Sequence, residues 1–209
     1  MPSITDLINT DDPAFPQLKQ WIDEAAVAVE CYAPSTERDR VLQAVRVTTA
    51  STLGAVAHET GGLSIDDGWL RVLGSGAPQL PRNLADWNAG RANGFLLVAD
   101  DVIGGYFAIN GGALGEDTGA MYYWAPDCLE WESLDIGYSA FIEWAMSGRL
   151  AEFYATFRWD GWQADVKQLG TDRCFDFYPP LCTQEGSVTT SSRKAVALAE
   201  HYALNLGKP

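Results

Sequence analysis

The stretch ADDVIGGYFAINGG, residues 99–112, decides how this chain folds. It joins two strand-like runs through the pairs Gly104–Gly105 and Gly111–Gly112, and it places Asp100 and Asp101 before the first bend. Glycines beside acids occur in phosphate loops, in metal loops and in the turns of a sheet. A phosphate loop requires a helix directly after its glycines, whereas the next predicted helix lies about 20 residues further on. We therefore predict that these glycines shape an antiparallel sheet.

A metal site is the alternative interpretation of the same acids. Asp100, Asp101, Glu116 and Asp117 supply four carboxylates, in two clusters that a hairpin could bring together. A calcium loop requires several oxygens at close, alternating spacing, which these residues lack. The four cysteines form no C-x-x-C pair, and the chain has only 2 His, so a zinc site is also disfavoured. The sequence predicts no metal and no cofactor. The cysteines are Cys31, Cys128, Cys174 and Cys182.

Hydrophobic periodicity and turn residues predict the elements on either side of this stretch. Val41, Leu42 and Val45 mark the inward face of a helix that opens at Pro34 and Ser35. The other predicted helices are at residues 13–25, 84–88, 139–146, 150–157 and 195–206. The predicted strands are at 26–32, in short runs from 54 to 74, in three runs from 95 to 124, and at 174–178.

Helices at both ends of a run of strands predict an α+β fold, with an antiparallel meander sheet packed by helices from both termini. The length of 209 residues and the 47% of apolar residues suit one well-formed core. We predict a single domain over residues 1–209. It consists of an N-terminal helical segment (1–50), a sheet core (54–124) and a helical C-terminal part (138–209).

The charge balance limits the classes of partner. The net charge of −14 repels phosphate backbones, so nucleic-acid binding is disfavoured; the charge suits solubility or a basic protein partner. The sequence begins with no basic segment followed by an apolar run, and no window approaches the ~18 apolar residues that a membrane span requires. We therefore expect no membrane association, a cytoplasmic location and reduced thiols.

Catalytic spacing is missing from the sequence. Ser75, His58 and Glu59 supply the residue types of a hydrolase triad, but Ser75 lies in Gly-Ser-Gly and not in the G-x-S-x-G elbow. His201 lies in a predicted amphipathic helix, where packing is the usual role of a histidine. We predict no catalytic residues.

Tryptophans in the second half of the chain suggest an alternative, a site for a small molecule or a carbohydrate. Trp rings beside carboxylates bind sugars, and a suitably spaced carboxylate pair can cleave them. Trp side chains also bury ~150–250 Å² each, so a core role competes with this interpretation. The candidate ligand-binding residues are Trp124, Trp131, Trp159 and Trp162.

Several long phrases together resemble the bacterial family called domain of unknown function 2625. The resemblance covers nearly the whole chain and implies no particular activity. The phrases are ETGGLSIDDGWLRVLGSG, RNLADWN, GFLLVADDVIGGYFAINGG, MYYWAPDCLEWESL, GYSAFIEWAMSGRLAEFYATFRWDGW and SSRKAVALAE.

A second resemblance concerns the segments DDVIGGYFAING, MYYW and YSAFIEWAMSG, which are similar to the SUKH superfamily. That superfamily has an α+β fold, and many bacterial members are thought to be immunity proteins that neutralise toxins. The resemblance implies that the acidic charge complements a basic toxin.

The functional prediction is thus a non-enzymatic protein-binding module with an immunity-like role. Its binding surface is predicted to be an exposed acidic face formed by Asp100, Asp101, Glu116 and Asp117.

Overall fold

The computed structural model describes residues 3–207 and has an α+β fold. The helices are α1 (Ile4–Leu7), α2 (Phe15–Asp23), α3 (Arg38–Val45), α4 (Thr52–Glu59), α5 (Leu84–Asn88), α6 (Tyr138–Ala145), α7 (Arg149–Phe153), α8 (Trp162–Leu169) and α9 (Leu198–Asn205). The strands are β1 (Val29–Tyr32), β2 (Gly62–Ile65), β3 (Leu70–Leu73), β4 (Phe95–Asp101), β5 (Tyr106–Asn110), β6 (Ala120–Ala125), β7 (Glu130–Gly137), β8 (Arg173–Tyr178) and β9 (Ser192–Ala197).

Strands β1 to β7 form one antiparallel sheet in chain order, which confirms the predicted meander. Around residues 99–112, Phe95 pairs with Asn110 and Asp100 pairs with Tyr106, so β4 and β5 are the predicted hairpin. A Cβ atom on Gly105 would lie 2.3 Å from an Asp101 carboxylate oxygen, so only glycine fits at this bend. Strands β1 and β7 are the two edges of the sheet.

Different parts of the chain cover the two faces of the sheet, because successive strand residues point to opposite sides. On one face Phe107 packs against Phe141 of α6, with ring centroids 4.9 Å apart. On the other face Tyr106 packs against Tyr202 of α9, with ring centroids 5.1 Å apart. The hairpin of β8 and β9 lies beside α9 on this second side.

The prediction of strand structure at residues 54–59 is wrong, because these residues belong to α4. The Ser51 side chain accepts a hydrogen bond from the Gly54 N–H at 3.1 Å and caps this helix. Every residue from Thr52 to His58 is buried. A helix that is buried on all sides has no amphipathic period, so a short apolar run of this kind resembles a strand.

The predictions for the C-terminal part need three further corrections. The segment 195–206 is not helical throughout, because its first residues belong to β9 and pair with β8. The helix predicted at 150–157 ends at Phe153. The part predicted to be helical, 138–209, therefore also contains a β-hairpin. Strand β7 and helix α8 lie where the sequence predicted neither.

A buried ion triad connects the sheet to this C-terminal part. Asp100 is 0% exposed, and its carboxylate contacts Arg71 at 2.6 Å and Arg82 at 2.5 Å. Arg71 also donates to the carbonyl of Arg173 at 2.7 Å, and Arg82 donates to the carbonyl of Thr171 at 2.8 Å. Because one carboxylate orients both guanidinium groups, it also fixes the segment that leads into β8.

Asp101 points to the opposite face and organises a second buried network. Its Oδ1 atom accepts from the N–H groups of Ile103 at 3.0 Å and Gly105 at 2.7 Å. Its Oδ2 atom accepts from the hydroxyls of Tyr123 and Tyr154, both at 2.8 Å. Burial raises the pKa of Asp101, and the hydrogen bonds from Gly105 and the two tyrosines oppose this rise.

The substitution Asp100→Ala should lower the free energy of unfolding by about 3–5 kcal/mol, because it leaves two largely buried guanidinium groups without a counterion. Urea denaturation followed by Trp fluorescence measures the change. The control Asp160→Ala, at an exposed aspartate, should change the free energy by less than about 0.5 kcal/mol. Equal small effects of both substitutions would contradict a structural role for the triad.

Candidate functional site

The loop between β5 and β6 carries the two acids at the second bend of the opening stretch. The Asn110 side-chain oxygen accepts from the N–H groups of Gly112 at 2.7 Å and Leu114 at 3.1 Å, which holds the start of the loop. Glu116 and Asp117 follow, and both are exposed. The structure therefore places these two predicted site residues on the surface.

Asp117 ties this loop to the neighbouring strands β6 and β7. Its carboxylate accepts from the hydroxyls of Tyr122 at 2.5 Å and Ser133 at 3.0 Å. The Tyr122 hydrogen bond is the main reason that the pKa of Asp117 lies below its usual value. A lowered pKa means that this interaction stabilises the fold above the ordinary Asp pKa, and that the stabilisation is lost as the pH falls through the lowered value.

Further carboxylates follow strand β7, at the free edge of the sheet. Glu130 and Glu132 are exposed on the strand, Asp127 is exposed in the turn before it, and Asp135 is exposed further along. The Ser133 hydroxyl lies within 3.1 Å of both Asp117 and Asp135, so the loop acids join the strand acids. We call this surface the acidic edge. It comprises Glu116, Asp117, Asp127, Glu130, Glu132 and Asp135.

No basic residue interrupts the chain around the acidic edge. The sequence from residue 92 to residue 148, which contains β4 to β7 and α6, has no Lys, Arg or His. The carboxylates of the acidic edge therefore lack a basic residue from their own part of the chain, and their field extends into solvent.

Leu129 is an exposed apolar residue at the border between these acids and an apolar groove that Trp124, Pro126 and Leu181 also line. It lies in the turn between β6 and β7, next to Glu130, and 46% of its surface is exposed. Its φ angle is +60°, in the left-handed region that an L-residue with a large side chain rarely adopts. The Leu129 N–H donates to the Ala125 carbonyl at 2.8 Å, which closes the turn. Residues held in a strained backbone conformation cluster at functional sites, so Leu129 is a candidate contact residue.

The prediction that Asp100 and Asp101 belong to an exposed acidic face is wrong. Both are 0% exposed, because Asp100 binds two arginines and Asp101 fills a pocket of hydrogen-bond donors. They also lie far from the other predicted pair. Asp100 is opposite Tyr106 in the β4–β5 hairpin, whereas Glu116 and Asp117 follow Asn110 at its other end.

The structure separates the four candidate tryptophans into two groups. Trp124 and Trp131 are cross-strand neighbours on β6 and β7, where Trp124 is buried and Trp131 is half-buried. Trp159 and Trp162 are both buried, and both rings pack against Trp69. The four residues therefore do not line one ligand site, and core packing accounts for Trp159 and Trp162.

The residues of the triad pattern are not assembled for catalysis. Both ring nitrogens of His58 have partners, Glu59 at 2.7 Å and Asp39 at 2.8 Å. The Ser75 hydroxyl instead donates to the Thr60 carbonyl at 2.7 Å.

The second histidine belongs to the core. His201 is 8% exposed, and its Nδ1 atom lies 2.9 Å from the Tyr106 hydroxyl. Burial lowers the pKa of His201. The imidazole is therefore neutral at pH 7 and helps to hold α9 on the sheet.

The described part of the chain contains neither a metal-binding cluster nor a helix that could span a membrane. Within residues 3–207, no three His, Cys, Asp or Glu side chains are grouped as a metal ion requires. No helix in that range combines the length and the apolar character needed to cross a bilayer.

Comparison with known proteins places the chain in a family. Residues 4–201 match the family described as Protein of unknown function DUF2625, and the chain belongs to this family. It is 44% identical to an uncharacterised protein, YbfG, of Escherichia coli (strain K12), over 98% of this chain and 95% of that protein. It is 39% identical to an uncharacterised protein of Haemophilus influenzae (strain ATCC 51907 / DSM 11121 / KW20 / Rd), over 100% of this chain and 95% of that protein. The predicted family membership is confirmed.

Reasoning from the sequence missed Leu129 and the strand that follows it. The signal for the strand was present, because Glu130 and Glu132 alternate with Trp131 and Ser133 after a Pro126–Asp127 turn. The sequence gives no indication of the positive φ angle of Leu129, because glycine or asparagine normally occupies a left-handed position.

Leu129→Gly should change the free energy of unfolding by less than about 1 kcal/mol. Glycine relieves the left-handed strain of ~1–2 kcal/mol, and this gain offsets the lost burial of half a leucine side chain. Thermal and urea unfolding measure the balance. The control Leu150→Gly removes a leucine that is 0% exposed, and it should cost more than about 3 kcal/mol. A comparable loss for Leu129→Gly would identify Leu129 as a structural residue.

Proposed function

We propose that this protein is a non-enzymatic protein-binding module that contacts a basic partner through the acidic edge. The observation that carries the proposal is Leu129, an exposed apolar side chain in the left-handed region between Asp127 and Glu130. Such a conformation costs free energy, and strained residues of this kind cluster at contact sites. An apolar anchor beside a polar rim is the usual arrangement of a protein-binding surface, and Leu129 lies between an apolar groove and the acids of the edge.

The electrostatics of the acidic edge support a basic partner. A surface of one charge sign attracts an oppositely charged protein over about one Debye length and increases the association rate. The partner's Lys and Arg side chains would meet Glu130, Glu132 and Asp135, while an apolar pocket of the partner would receive Leu129. This proposal retains the predicted residues Glu116 and Asp117 and excludes Asp100 and Asp101, which are buried.

The free edge of β7 adds a second mode of contact. An edge strand presents unpaired N–H and C=O groups, which another chain can use for pairing. Charged residues on such a strand also prevent unwanted pairing between copies of a protein. The acids could therefore bind a partner or prevent edge pairing, and the two roles predict different effects of neutralising them. If they bind a partner, the variant loses that partner; if they prevent pairing, the variant aggregates.

An immunity role is the specific form of this proposal that the similarity to the SUKH superfamily suggests. In that form, the partner is a basic toxin that the acidic edge neutralises in the cytoplasm. The general proposal requires only a basic protein partner.

The double variant Glu130→Lys/Glu132→Lys should lose the partner. Quantitative affinity capture from the native host is made with three baits: the wild type, this variant and the control Asp160→Lys/Glu185→Lys. Both variants change the net charge equally, and the control residues are exposed and outside the acidic edge. The wild type and the control should retain the same basic protein, and the edge variant should retain less than about a tenth of it.

Leu129→Gly is a further bait in the same experiment, and it should reduce retention of that protein about tenfold or more without unfolding the bait. Enrichment of the same proteins by every bait, or of none by the wild type, would refute the proposal. Aggregation of the edge variant, with no partner captured by the wild type, would identify the acids as protection against edge pairing.

A further inference from the structure

A groove with a volume of about 740 Å³ lies between the start of β4, strand β7 and helix α9. We call it the Trp131 groove, and its main lining residues are Arg91, Phe95, Trp131, Tyr202, Ala203 and Leu206. The rings of Phe95 and Trp131 are half-buried, with centroids 5.5 Å apart. A concavity of ~300–1,000 Å³ with aromatic walls and few polar groups is typical of small-molecule sites.

Arg91 is the cationic group of the Trp131 groove. Its guanidinium lies 4.4 Å from the centroid of the Trp87 ring, and its Nη1 atom donates to the Trp87 carbonyl at 3.1 Å. The Tyr202 hydroxyl donates to the Arg91 carbonyl at 3.1 Å, which fixes the backbone at the same place. The side chain is therefore held in position before any ligand arrives.

Arg91 has no acidic partner in the described part of the chain. Among residues 3–207, no Asp or Glu oxygen lies within 4.0 Å of its guanidinium nitrogens. It is also the only basic residue between Arg82 and Arg149 in the sequence. In a protein with a net charge of −14, a half-buried, oriented arginine thus lies at the wall of the aromatic groove with no carboxylate from residues 3–207 beside it.

We propose that the Trp131 groove binds a small amphipathic carboxylate, a molecule with one aryl or alkyl body and one carboxylate group. The body packs on the rings of Phe95 and Trp131, and the carboxylate pairs with Arg91. A guanidinium binds a carboxylate through two parallel hydrogen bonds, and partial burial strengthens this pair relative to an exposed one. A cationic ligand would be repelled by Arg91.

The Trp131 groove lies on the opposite side of β7 from Glu130 and Glu132, and this inference is independent of the proposed protein partner. Trp131 alternates with Glu130 and Glu132 along the strand, whereas Ser133, which donates to Asp117, is on the same side as the Trp131 ring. Both binding events can therefore be tested on the same protein with different substitutions.

The test compares matched carboxylate and amine probes by protein-observed ¹H–¹⁵N NMR. The probes are 4-phenylbutyrate and octanoate, each paired with the amine of the same carbon skeleton. We expect both carboxylates to shift the Trp131 indole N–H signal with a Kd of about 1 mM or tighter, and we expect the amines to leave it in place.

Three variants test which residues of the Trp131 groove contact the carboxylate probes. Arg91→Gln should weaken carboxylate binding about tenfold, whereas Arg149→Gln, at an exposed arginine elsewhere, should leave it unchanged. Trp131→Leu should weaken binding of both carboxylates, with the Ala203 and Leu206 backbone amides as reporters in place of the lost indole. If that variant does not fold, Phe95→Leu provides the same test.

The proposal fails if neither carboxylate shifts groove signals at about 10 mM, or if the amines bind equally well. It also fails if Arg91→Gln retains wild-type affinity.

Discussion

The carboxylate of Asp100, shared by Arg71 and Arg82, is the interaction on which the rest of the structure depends. It lies on β4 in the middle of the sheet, and its two arginines reach the carbonyls of Arg173 and Thr171 in the chain leading to β8. A buried ion pair adds little net stability compared with well-packed apolar residues, but breaking one partner is costly. The triad therefore specifies where the C-terminal part attaches, and it commits two of the few arginines to the interior.

Charged residues are distributed unevenly over the surface of the protein. Residues 92–148 contain no Lys, Arg or His, so the exposed carboxylates of the acidic edge have no cation from their own part of the chain. The attachment of α9 to the other face also creates the Trp131 groove, whose wall contains Arg91, a residue with no acidic partner among residues 3–207. The basic protein proposed for the acidic edge and the carboxylate proposed for the groove would bind one fold at two sites of opposite charge preference.

The sequence predicted the centre of the sheet better than its edges and its buried acids. The paired glycines and the alternating residues of β4, β5 and β6 identify the meander, because their turns are local and their period is clear. The burial of Asp100 could not be predicted from the sequence. Its partners Arg71 and Arg82 lie 29 and 18 residues earlier in the chain, and they contact Asp100 only through the pairing of β3 with β4 and through the loop before α5. For the same reason, Glu116 and Asp117 resembled Asp100 and Asp101 in the sequence although their environments differ. The position of Leu129 depends on the turn that joins β6 to β7, and leucine itself gives no indication of a left-handed φ angle.

Asp100 and Asp101 are internal, and the exposed carboxylates of this part of the chain lie on the acidic edge. Carboxyl-group footprinting, in which a carbodiimide couples an amine to accessible acids and mass spectrometry locates the products, tests this division directly. In the native protein Glu116, Glu130 and Glu132 should be modified rapidly, while Asp100 and Asp101 should be modified only after unfolding in urea. Modification of Asp100 or Asp101 in the native protein at the rate of the acidic edge would contradict the account.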